Sequence, residues 1–265
     1  MQTLMRFDGK VCLVTGSGSP SGIGFAAAAI LGRLGGRLAI AATTERIYRR
    51  AEELRTEGIE ATGYISDLMD RRQVLALVEA VLAKYGRIDI LVNNAGMAQV
   101  GSPEKFTPFA ELDAADWDLD ISRNLTTCFN VTRTVLPQMI ESGYGRIVNV
   151  SSTTGPISSN PGEAGYSAAK AAMVGMSRSI AIEVAKHGIT INNVAPGWIE
   201  TGSQTEKEAA AGLNTPLGRS GRPEEIGHLI AFLASEQASY ITGQLFVADG
   251  GNSLQEYKGP REHYY

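Results

Sequence analysis

Short apolar runs alternate along this chain with longer segments in which apolar residues recur at helical spacing. Apolar runs without polar alternation are typical of strands that are buried on both faces of a sheet. The segments between them have a different pattern, as in Arg71–Tyr85, where Val74, Leu77, Val78 and Val81 share one helix face. The predicted strands are Val11–Thr15, Leu38–Ala42, Ala61–Ser66, Ile88–Val92, Arg146–Val150, Thr190–Val194 and Gln244–Val247.

Helical segments separate these strands almost regularly. The predicted helices are Gly22–Leu34, Glu45–Glu57, Arg71–Tyr85, Trp117–Glu141, Tyr166–His187 and Pro223–Leu233. Strands that alternate with helices imply parallel pairing through right-handed crossovers. The pattern therefore predicts an α/β fold, a doubly wound parallel sheet of about seven strands in a single domain. We expect this domain to span residues 1–251, with a polar and aromatic tail at 252–265.

Composition narrows the class of protein without naming an activity. The 265 residues are 43% hydrophobic and 20% charged, with a formal net charge of −4, which disfavours nucleic acid as a partner. No run approaches the roughly 20 apolar residues of a membrane span, and no apolar signal core precedes the first strand, so we expect a cytoplasmic protein. Cys12 and Cys128 lack a metal-like spacing, and we expect both to pack internally.

A glycine-rich loop lies between the first strand and the first helix, from Thr15 to Gly24. Backbone N–H groups in such a loop can approach a pyrophosphate, with the positive end of the helix dipole behind them. The strict G-x-G-x-x-G pattern fails here because Ser21 follows Gly16 and Gly18 at the third position. Alone, this loop is a weak signal, because a flexible strand–helix turn can have the same composition, but its place after the first strand of an alternating chain favours dinucleotide binding.

Three further motifs carry the chemistry. Asn93-Asn94-Ala95-Gly96 ends one strand, Ser151-Ser152 ends another, and Tyr166-x-x-x-Lys170 opens a helix. The i, i+4 spacing places a phenol and an ammonium on one helix face. A nearby cation favours the phenolate and lowers the tyrosine pKa from its reference of about 10, so the phenol can exchange a proton with a substrate oxygen.

These motifs, in this order, resemble those of the short-chain dehydrogenase/reductase family over nearly the whole chain, from Lys10 to Gly251. Further shared markers are Asn124, Pro196-Gly197 followed by Thr201, and the closing Asp249-Gly250-Gly251. The resemblance implies a Rossmann-type domain and an oxidoreductase that moves hydride between a nicotinamide dinucleotide and a carbonyl or alcohol. It also implies a homotetramer built through the helices around Asn124 and Tyr166.

The resemblance also implies a role for each matching residue. Tyr166 is the acid or base, Lys170 supports it and binds the nicotinamide ribose, Ser152 polarises the carbonyl, and Asn124 holds a proton-relaying water. The implied cofactor-binding residues are Gly16, Ser21, Gly22, Ile23, Gly24, Thr43, Asp67, Leu68, Asn94, Ala95, Gly96, Tyr166, Lys170, Pro196, Gly197, Ile199 and Thr201. No metal is expected, because tyrosine and serine donors can stabilise the developing oxyanion.

Two departures from the family pattern leave alternatives open. More residues separate Gly16 from Gly22 than the family usually has, so the assignment of individual phosphate contacts is uncertain. The spacing from the serine pair to Tyr166 is also one residue longer than usual. Ser151 is therefore an alternative to Ser152, although alignment of the strand end favours Ser152.

The end of the second strand bears on the choice between NADP and NAD. An acidic residue there would bind a ribose 2′-hydroxyl, but this strand ends Ala42-Thr43-Thr44. Thr43, Thr44 and Arg46 can instead bind a 2′-phosphate, so the sequence favours NADP, with NAD as the alternative. Ser21, at a position that is often basic in NADP users, weakens this inference.

Substrate identity is the least determined feature. A substrate loop is expected at about 198–219, with Met97, Gln99, Pro161 and Trp198 as candidate pocket walls. The layout is similar to that of 3-oxoacyl carrier-protein reductases, which favours a ketoreductase. The alternatives are an NAD-dependent secondary-alcohol dehydrogenase and a dinucleotide-binding regulator without turnover. The loop 97–112, with Phe106 and Phe109, is a second expected contributor to substrate selection. The tail tyrosines Tyr257, Tyr264 and Tyr265 could cap the active site of a neighbouring subunit.

Overall fold

The computed structural model describes residues 5–96 and 105–260, and within them a seven-stranded parallel sheet forms. Its strands are β1 Val11–Thr15, β2 Arg37–Ala42, β3 Ala61–Ile65, β4 Ile90–Asn93, β5 Gly145–Val150, β6 Ile189–Pro196 and β7 Leu245–Ala248. Their order is β3-β2-β1-β4-β5-β6-β7, which confirms the doubly wound α/β fold. The order reverses between β1 and β4, and in such sheets ligands bind in the crevice at the carboxyl ends of the strands there.

Helices lie on both faces of the sheet. They are α1 Ile23–Arg33, α2 Arg46–Thr56, α3 Arg71–Tyr85, α4 Ala114–Ile121, α5 Thr127–Ser142, α6 Ala164–Val184, α7 Glu206–Leu213 and α8 Pro223–Ala234. One hydrophobic core joins the sheet to α1, α2 and α8, and the other joins it to α3, α5 and α6. The two-residue period of β1 serves both cores, because Cys12 and Val14 enter the first while Val11 and Leu13 enter the second.

The long helix predicted over Trp117–Glu141 is divided in the structure. A π-helical turn at Ser122–Thr126 separates α4 from α5 and contains Asn124. A π turn shifts the hydrogen-bond partner by one residue, so apolar spacing alone does not show it. Pro137 is accommodated inside α5.

Helix α7 interrupts the region that the sequence pattern predicts only as a substrate loop. Its N-terminus is a capping box, because the Thr205 hydroxyl accepts from the Glu208 amide while the Glu208 carboxylate accepts from the Thr205 amide. The T-x-x-E spacing is a helix-start signal. The spacing of Thr205 and Glu208 in the sequence would therefore have predicted this helix.

Across residues 5–96 and 105–260, every helix is too short or too polar to cross a bilayer.

Candidate active site

The glycine-rich loop is fixed against the end of β4 by Asn94. Its side-chain amide donates to the carbonyl oxygens of Thr15, at 3.2 Å, and of Gly16, at 3.1 Å. The Thr15 hydroxyl in turn accepts from the backbone N–H groups of Asn94 and Ala95 at 3.0 and 3.1 Å. Gly16 has a φ of +69°, and a Cβ there would lie 2.7 Å from the Asn94 amide nitrogen. The Asn94 side chain therefore sets the shape of the loop.

The start of α1 fits a phosphate group. Gly22 caps this helix without a side-chain hydrogen bond, and no acidic residue lies in its first turn, which begins at Ile23. Backbone N–H groups of a first helical turn lack intrahelical partners and bind anions. Ser21 is exposed beside this turn, and its hydroxyl lies 2.7 Å from the point that a Cβ on Gly202 would occupy. The segment that follows β6 therefore closes against the glycine-rich loop.

The carboxyl end of β2 carries no carboxylate. A Cβ on Gly18 would lie 3.1 Å from Ala42 Cβ and 4.0 Å from a terminal nitrogen of Arg46. The Arg46 Nε donates to the Thr44 hydroxyl at 3.2 Å, and Thr43 is exposed. This part of the site thus offers a guanidinium and two hydroxyl groups beside the glycine-rich loop.

Asp67 and Leu68, at the end of β3, are held by polar contacts. The backbone N–H of Asp67 donates to the Gln73 side chain at 2.9 Å, and its carboxylate accepts from the Met69 N–H at 3.0 Å. The Leu68 carbonyl accepts from the buried Asn130 amide at 2.9 Å. This turn is therefore fixed at the edge of the crevice, next to β2.

Tyr166 and Lys170 lie in the first turns of α6. Lys170 is buried, at 3% exposure, and its ammonium donates to the Val150 carbonyl at the end of β5 at 2.9 Å. The same ammonium lies 5.5 Å from the centroid of the Tyr166 ring. The predicted pairing of phenol and ammonium on one helix face is therefore present in the geometry, with the ammonium tied to the sheet.

Asn124 lies in the π turn and faces Lys170 across Gly96. Its side-chain amide donates to the Asp120 carbonyl at 3.0 Å, and the residue is buried. A Cβ on Gly96 would lie 2.8 Å from Asn124 Oδ1 and 3.4 Å from Lys170 Nζ. Only a glycine at position 96 leaves room for both groups. The Asn124 amide and the Lys170 ammonium therefore lie close together beside the end of β4.

The two serines at the end of β5 have different surroundings. The Ser151 hydroxyl is buried and donates to the Lys170 carbonyl at 3.0 Å. Ser152 is partly exposed, and its hydroxyl accepts from the Thr154 N–H at 3.0 Å, which leaves its proton for another acceptor. The Ser151 hydroxyl is therefore directed to α6, whereas the Ser152 hydroxyl has a partly exposed position beyond the end of the strand.

The segment after β6 is tied to the end of the sheet. Pro196 ends β6, and the N–H of Gly197 donates to the Ala248 carbonyl at 3.1 Å. Ile199 forms an isolated bridge with Gly221, and the Thr201 hydroxyl lies 3.1 Å from the Ser203 hydroxyl. Of the four predicted residues of this segment, Pro196 thus ends β6, and Gly197, Ile199 and Thr201 follow it in an ordered turn.

The predicted substrate loop, at about 198–219, is connected to the C-terminal segment. The Gln255 side chain donates to the carbonyl of Asn214, just beyond α7, at 3.0 Å, and the Leu217 N–H donates to the Gly250 carbonyl at 3.2 Å. Tyr257 is partly exposed in the same segment. Among the candidate pocket walls, Pro161 is exposed and Trp198 half-buried, while Phe106 and Phe109 are exposed. Met97, Gln99, Tyr264 and Tyr265 lie outside the described residues.

A buried polar network that the sequence motifs did not suggest supports the strand ends. Asn93, Asn149 and Asn193 are in register on β4, β5 and β6. The Asn93 amide donates to the Asn149 side chain at 2.8 Å, and the Asn149 amide donates to the Ser177 hydroxyl of α6 at 2.9 Å. The Asn193 side-chain oxygen lies 2.9 Å from the same hydroxyl. The network joins the helix of Tyr166 to three strands.

A doubly wound sheet with a glycine-rich loop at β1 and a Tyr-x-x-x-Lys pair beside the ends of β4 and β5 defines a class, the dinucleotide-dependent oxidoreductases. A family model described as "Enoyl-(Acyl carrier protein) reductase" matches residues 16–253. The chain belongs to this family, within the short-chain dehydrogenases/reductases, and it is an oxidoreductase, as its sequence motifs predicted.

Relatives that match almost end to end support this membership. The 3-oxoacyl-[acyl-carrier-protein] reductase FabG of Thermotoga maritima is 42% identical over 254 residues, which cover 93% of this chain and 99% of that protein. Oxidoreductase UcpA of Escherichia coli is 38% identical over 263 residues, covering 95% of this chain and 97% of the relative. A solved short-chain dehydrogenase/reductase of Serratia marcescens, a double mutant, has a TM-score of 0.84 at 31% identity and covers 93% of this chain and 99% of its own.

Proposed function

We propose that this protein is an NADP-preferring ketoreductase that reduces carbonyl substrates of the 3-oxoacyl type to secondary alcohols. The observation that carries the proposal is the convergence of Tyr166, Lys170 and Asn124 at the carboxyl ends of β4 and β5, where Ser152 follows β5 with a partly exposed hydroxyl. The similarity to FabG, named for reduction of 3-oxoacyl carrier-protein substrates, supports the substrate type.

In this proposal Tyr166 is the general acid. The bound reduced nicotinamide supplies the hydride to the carbonyl carbon. As negative charge develops on the carbonyl oxygen, the Tyr166 hydroxyl donates its proton there, and the Ser152 hydroxyl donates a hydrogen bond to the same oxygen. Two donors aimed at one oxygen stabilise the charge where it forms.

Lys170 and Asn124 prepare Tyr166 for proton transfer. The Lys170 ammonium, tied to the Val150 carbonyl, stabilises the phenolate that remains after the proton has left. The Asn124 side chain shares the space beside Gly96 with this ammonium, which supports the role of Asn124 in holding a water that returns the proton. We also assign the nicotinamide ribose to Lys170 and the backbone of Asn94, Ala95 and Gly96.

The phosphate groups of the cofactor are assigned to the opposite end of the crevice. The uncapped first turn of α1, at Gly22, Ile23 and Gly24, would receive the pyrophosphate. Arg46, with Thr43 and Thr44, would bind the 2′-phosphate of NADP, because a guanidinium pairs with phosphate oxygens. β2 itself ends at Ala42 without a carboxylate, and the first one that follows in the chain is the exposed Glu45.

The remaining cofactor and oligomer assignments follow the same logic. The turn at Asp67–Leu68, which is held by hydrogen bonds, would flank the adenine. The segment from Pro196 to Thr201 would hold the carboxamide of the nicotinamide. We also propose a homotetramer assembled through α5 and α6. Phe129 of α5 is 41% exposed and Ile182 of α6 is 83% exposed, which suits burial against a second copy. Light scattering of the purified chain tests this.

Titration with NADPH and NADH, followed by the fluorescence of the reduced nicotinamide, tests the cofactor assignment. We expect NADPH to bind more tightly than NADH, and Arg46→Ala to weaken NADPH binding by about tenfold, as loss of one charge-assisted phosphate contact predicts. Arg49→Ala, an exposed arginine on the same helix, is the matched control and should leave both affinities unchanged. Equal binding of both cofactors by the wild type would reject the NADP assignment.

Oxidation of NADPH in the presence of 3-oxoacyl thioesters, 3-oxo esters and simple ketones tests the reaction. We expect turnover of 3-oxoacyl compounds. Turnover only of NAD with secondary alcohols would indicate the alternative dehydrogenase, and cofactor binding without turnover would indicate a regulator.

A further inference from the structure

Asp120 contacts two elements of the site at once. It lies near the end of α4, and its backbone carbonyl accepts the Asn124 side-chain amide at 3.0 Å. Its carboxylate lies against Gly165, the residue before Tyr166, where a Cβ would be 2.6 Å from Asp120 Oδ2 and 2.8 Å from Asp120 Cβ. One residue therefore touches both the π turn and the first turn of α6.

Gly165 lacks a side chain at a place where the structure has no room for one. It is buried in the first turn of α6, and its φ is not in the left-handed region, so backbone conformation does not require a glycine. The requirement comes from Asp120, whose Cβ, Cγ and carboxylate oxygen fill the space that an alanine methyl would need. The carboxylate and the glycine are thus complementary in shape.

The first turn of α6 has little other support at its N-terminus. Its capping residue, Glu163, makes no side-chain hydrogen bond to the turn, and no acidic residue lies within the turn itself. A carboxylate near the positive end of a helix is favourable. The Glu163 carboxyl already lies at this end of α6, so the contribution that we assign to Asp120 is the shape of its side chain and not its charge.

We propose that Asp120 is a positioning residue, which holds Asn124 through its carbonyl and the turn of Tyr166 through its carboxylate packed on Gly165. This inference rests on the proposed function, because it assigns a purpose to the contact only if Tyr166 and Asn124 act in turnover. Burial raises the pKa of the Asp120 carboxyl, with Arg123 opposing this effect and the Asp116 charge adding to it, which agrees with a side chain that is partly buried against α6.

A cycle of substitutions at the contact tests the proposal. Gly165→Ala alone forces a methyl group against Asp120, and Asp120→Gly alone leaves a gap beside Gly165. We expect each single variant to lower kcat by about tenfold or more, since misplacement of an acid by a fraction of an ångström slows proton transfer. In Asp120→Gly/Gly165→Ala all the Asp120 atoms that the methyl would meet are removed, and kcat should return to within about threefold of the wild type.

Binding measurements, a control variant and a conservative variant make the result specific. NADPH affinity and KM for the carbonyl should stay near wild type in all variants that fold, because the contact touches neither binding surface. Asp118→Ala removes an exposed carboxylate from the same helix and should leave kcat unchanged. If Gly165→Ala does not fold, Asp120→Asn provides the second comparison, since it keeps the shape and should retain kcat to within about threefold where Asp120→Ala does not.

The outcomes separate this inference from the proposed function. The positioning role would be overturned if the fold-loss of kcat in the double variant equalled the product of the losses in the two single variants. It would also be overturned if Asp120→Asn and Asp120→Ala had equal kcat. In both cases the wild type would still turn over. A wild type that binds NADPH but reduces no carbonyl and oxidises no alcohol would overturn the proposed function, and this inference with it.

Discussion

Replacing Ser151 and Ser152 by alanine, one at a time, separates a structural hydroxyl from a catalytic one. The two residues are neighbours at the end of β5, and the sequence motif allows either to be the catalytic serine. Their contacts differ: Ser151 donates to the buried carbonyl of Lys170, and Ser152 has its proton free of any described backbone acceptor. The two substitutions should therefore affect different properties.

Ser151→Ala should affect stability. It removes one buried hydrogen bond of 3.0 Å, a loss of about 1 kcal/mol, because the Lys170 carbonyl keeps its helical partner inside α6. For a chain of this length, that corresponds to a fall in melting temperature of about 2–4 °C. Turnover at a temperature well below melting should change by less than about threefold, since the ammonium remains tied to Val150.

Ser152→Ala should affect turnover. Removal of one hydrogen-bond donor from a developing oxyanion lowers kcat by about two to three orders of magnitude. The melting temperature should change little, because the hydroxyl of Ser152 accepts only the Thr154 N–H in a partly exposed position. The loss should fall on kcat, with NADPH affinity unchanged.

Thermal melts and steady-state kinetics of the two variants, measured side by side, provide the assay. Wild-type affinity for NADPH in both variants is the control that the site remains assembled. The reasoning would be refuted by the opposite distribution, with Ser151→Ala inactive at normal stability and Ser152→Ala fully active.

Three other substitutions test separate parts of the structure. Gly24→Ala places a methyl group against the Asn94 amide and 2.7 Å from the Gly16 carbonyl; the crowding should cost about 1–3 kcal/mol in a thermal melt. Gln255→Ala removes the hydrogen bond to Asn214 and should raise KM for the carbonyl by about threefold with NADPH affinity unchanged. Glu163→Gln should raise the melting temperature by about 1–2 °C at neutral pH.

The sign of the last prediction follows from the pKa. Burial, with the Glu208 and Asp120 charges adding to it, raises the pKa of the Glu163 carboxyl in the folded chain, against the opposing hydrogen bond from Asn160. A raised folded pKa means that the ionised carboxylate destabilises the fold at neutral pH. As pH falls below the ordinary carboxyl pKa of about 4.3, the Glu163 carboxyl is protonated in both the folded and the unfolded chain. The benefit of glutamine should then vanish. If Glu163→Gln still raised the melting temperature in acid, this cause would be contradicted. An unchanged melting temperature for Gly24→Ala would contradict the predicted crowding.

The sheet could be predicted from the sequence because its signals are local. Buried strands appear as apolar runs, and alternation with helices implies parallel pairing, so all seven strands were found within a few residues. The π turn around Asn124 could not be found in the same way. A single shifted hydrogen bond leaves the apolar spacing of Trp117–Glu141 almost unchanged, and the long helix was therefore predicted as continuous.

The site was predictable where its chemistry lies within one segment. Tyr166 and Lys170 are four residues apart on one helix, so their juxtaposition follows from helical geometry. The choice between Ser151 and Ser152 depends on what each hydroxyl contacts, and the contact of Asp120 with Gly165 joins two helices far apart in sequence. Such contacts require the tertiary structure.

Tyr166→Phe provides the most direct test of the central claim, that this chain is a dinucleotide-dependent oxidoreductase with Tyr166 as its acid. Carbonyl-dependent oxidation of NADPH and fluorescence titration with NADPH would be measured for the wild type and the variant together. We predict a fall in kcat of about two to four orders of magnitude with NADPH affinity within about twofold of the wild type, since only the proton donor is removed. Turnover near the wild-type rate would contradict the assignment of Tyr166, and with it this account of catalysis.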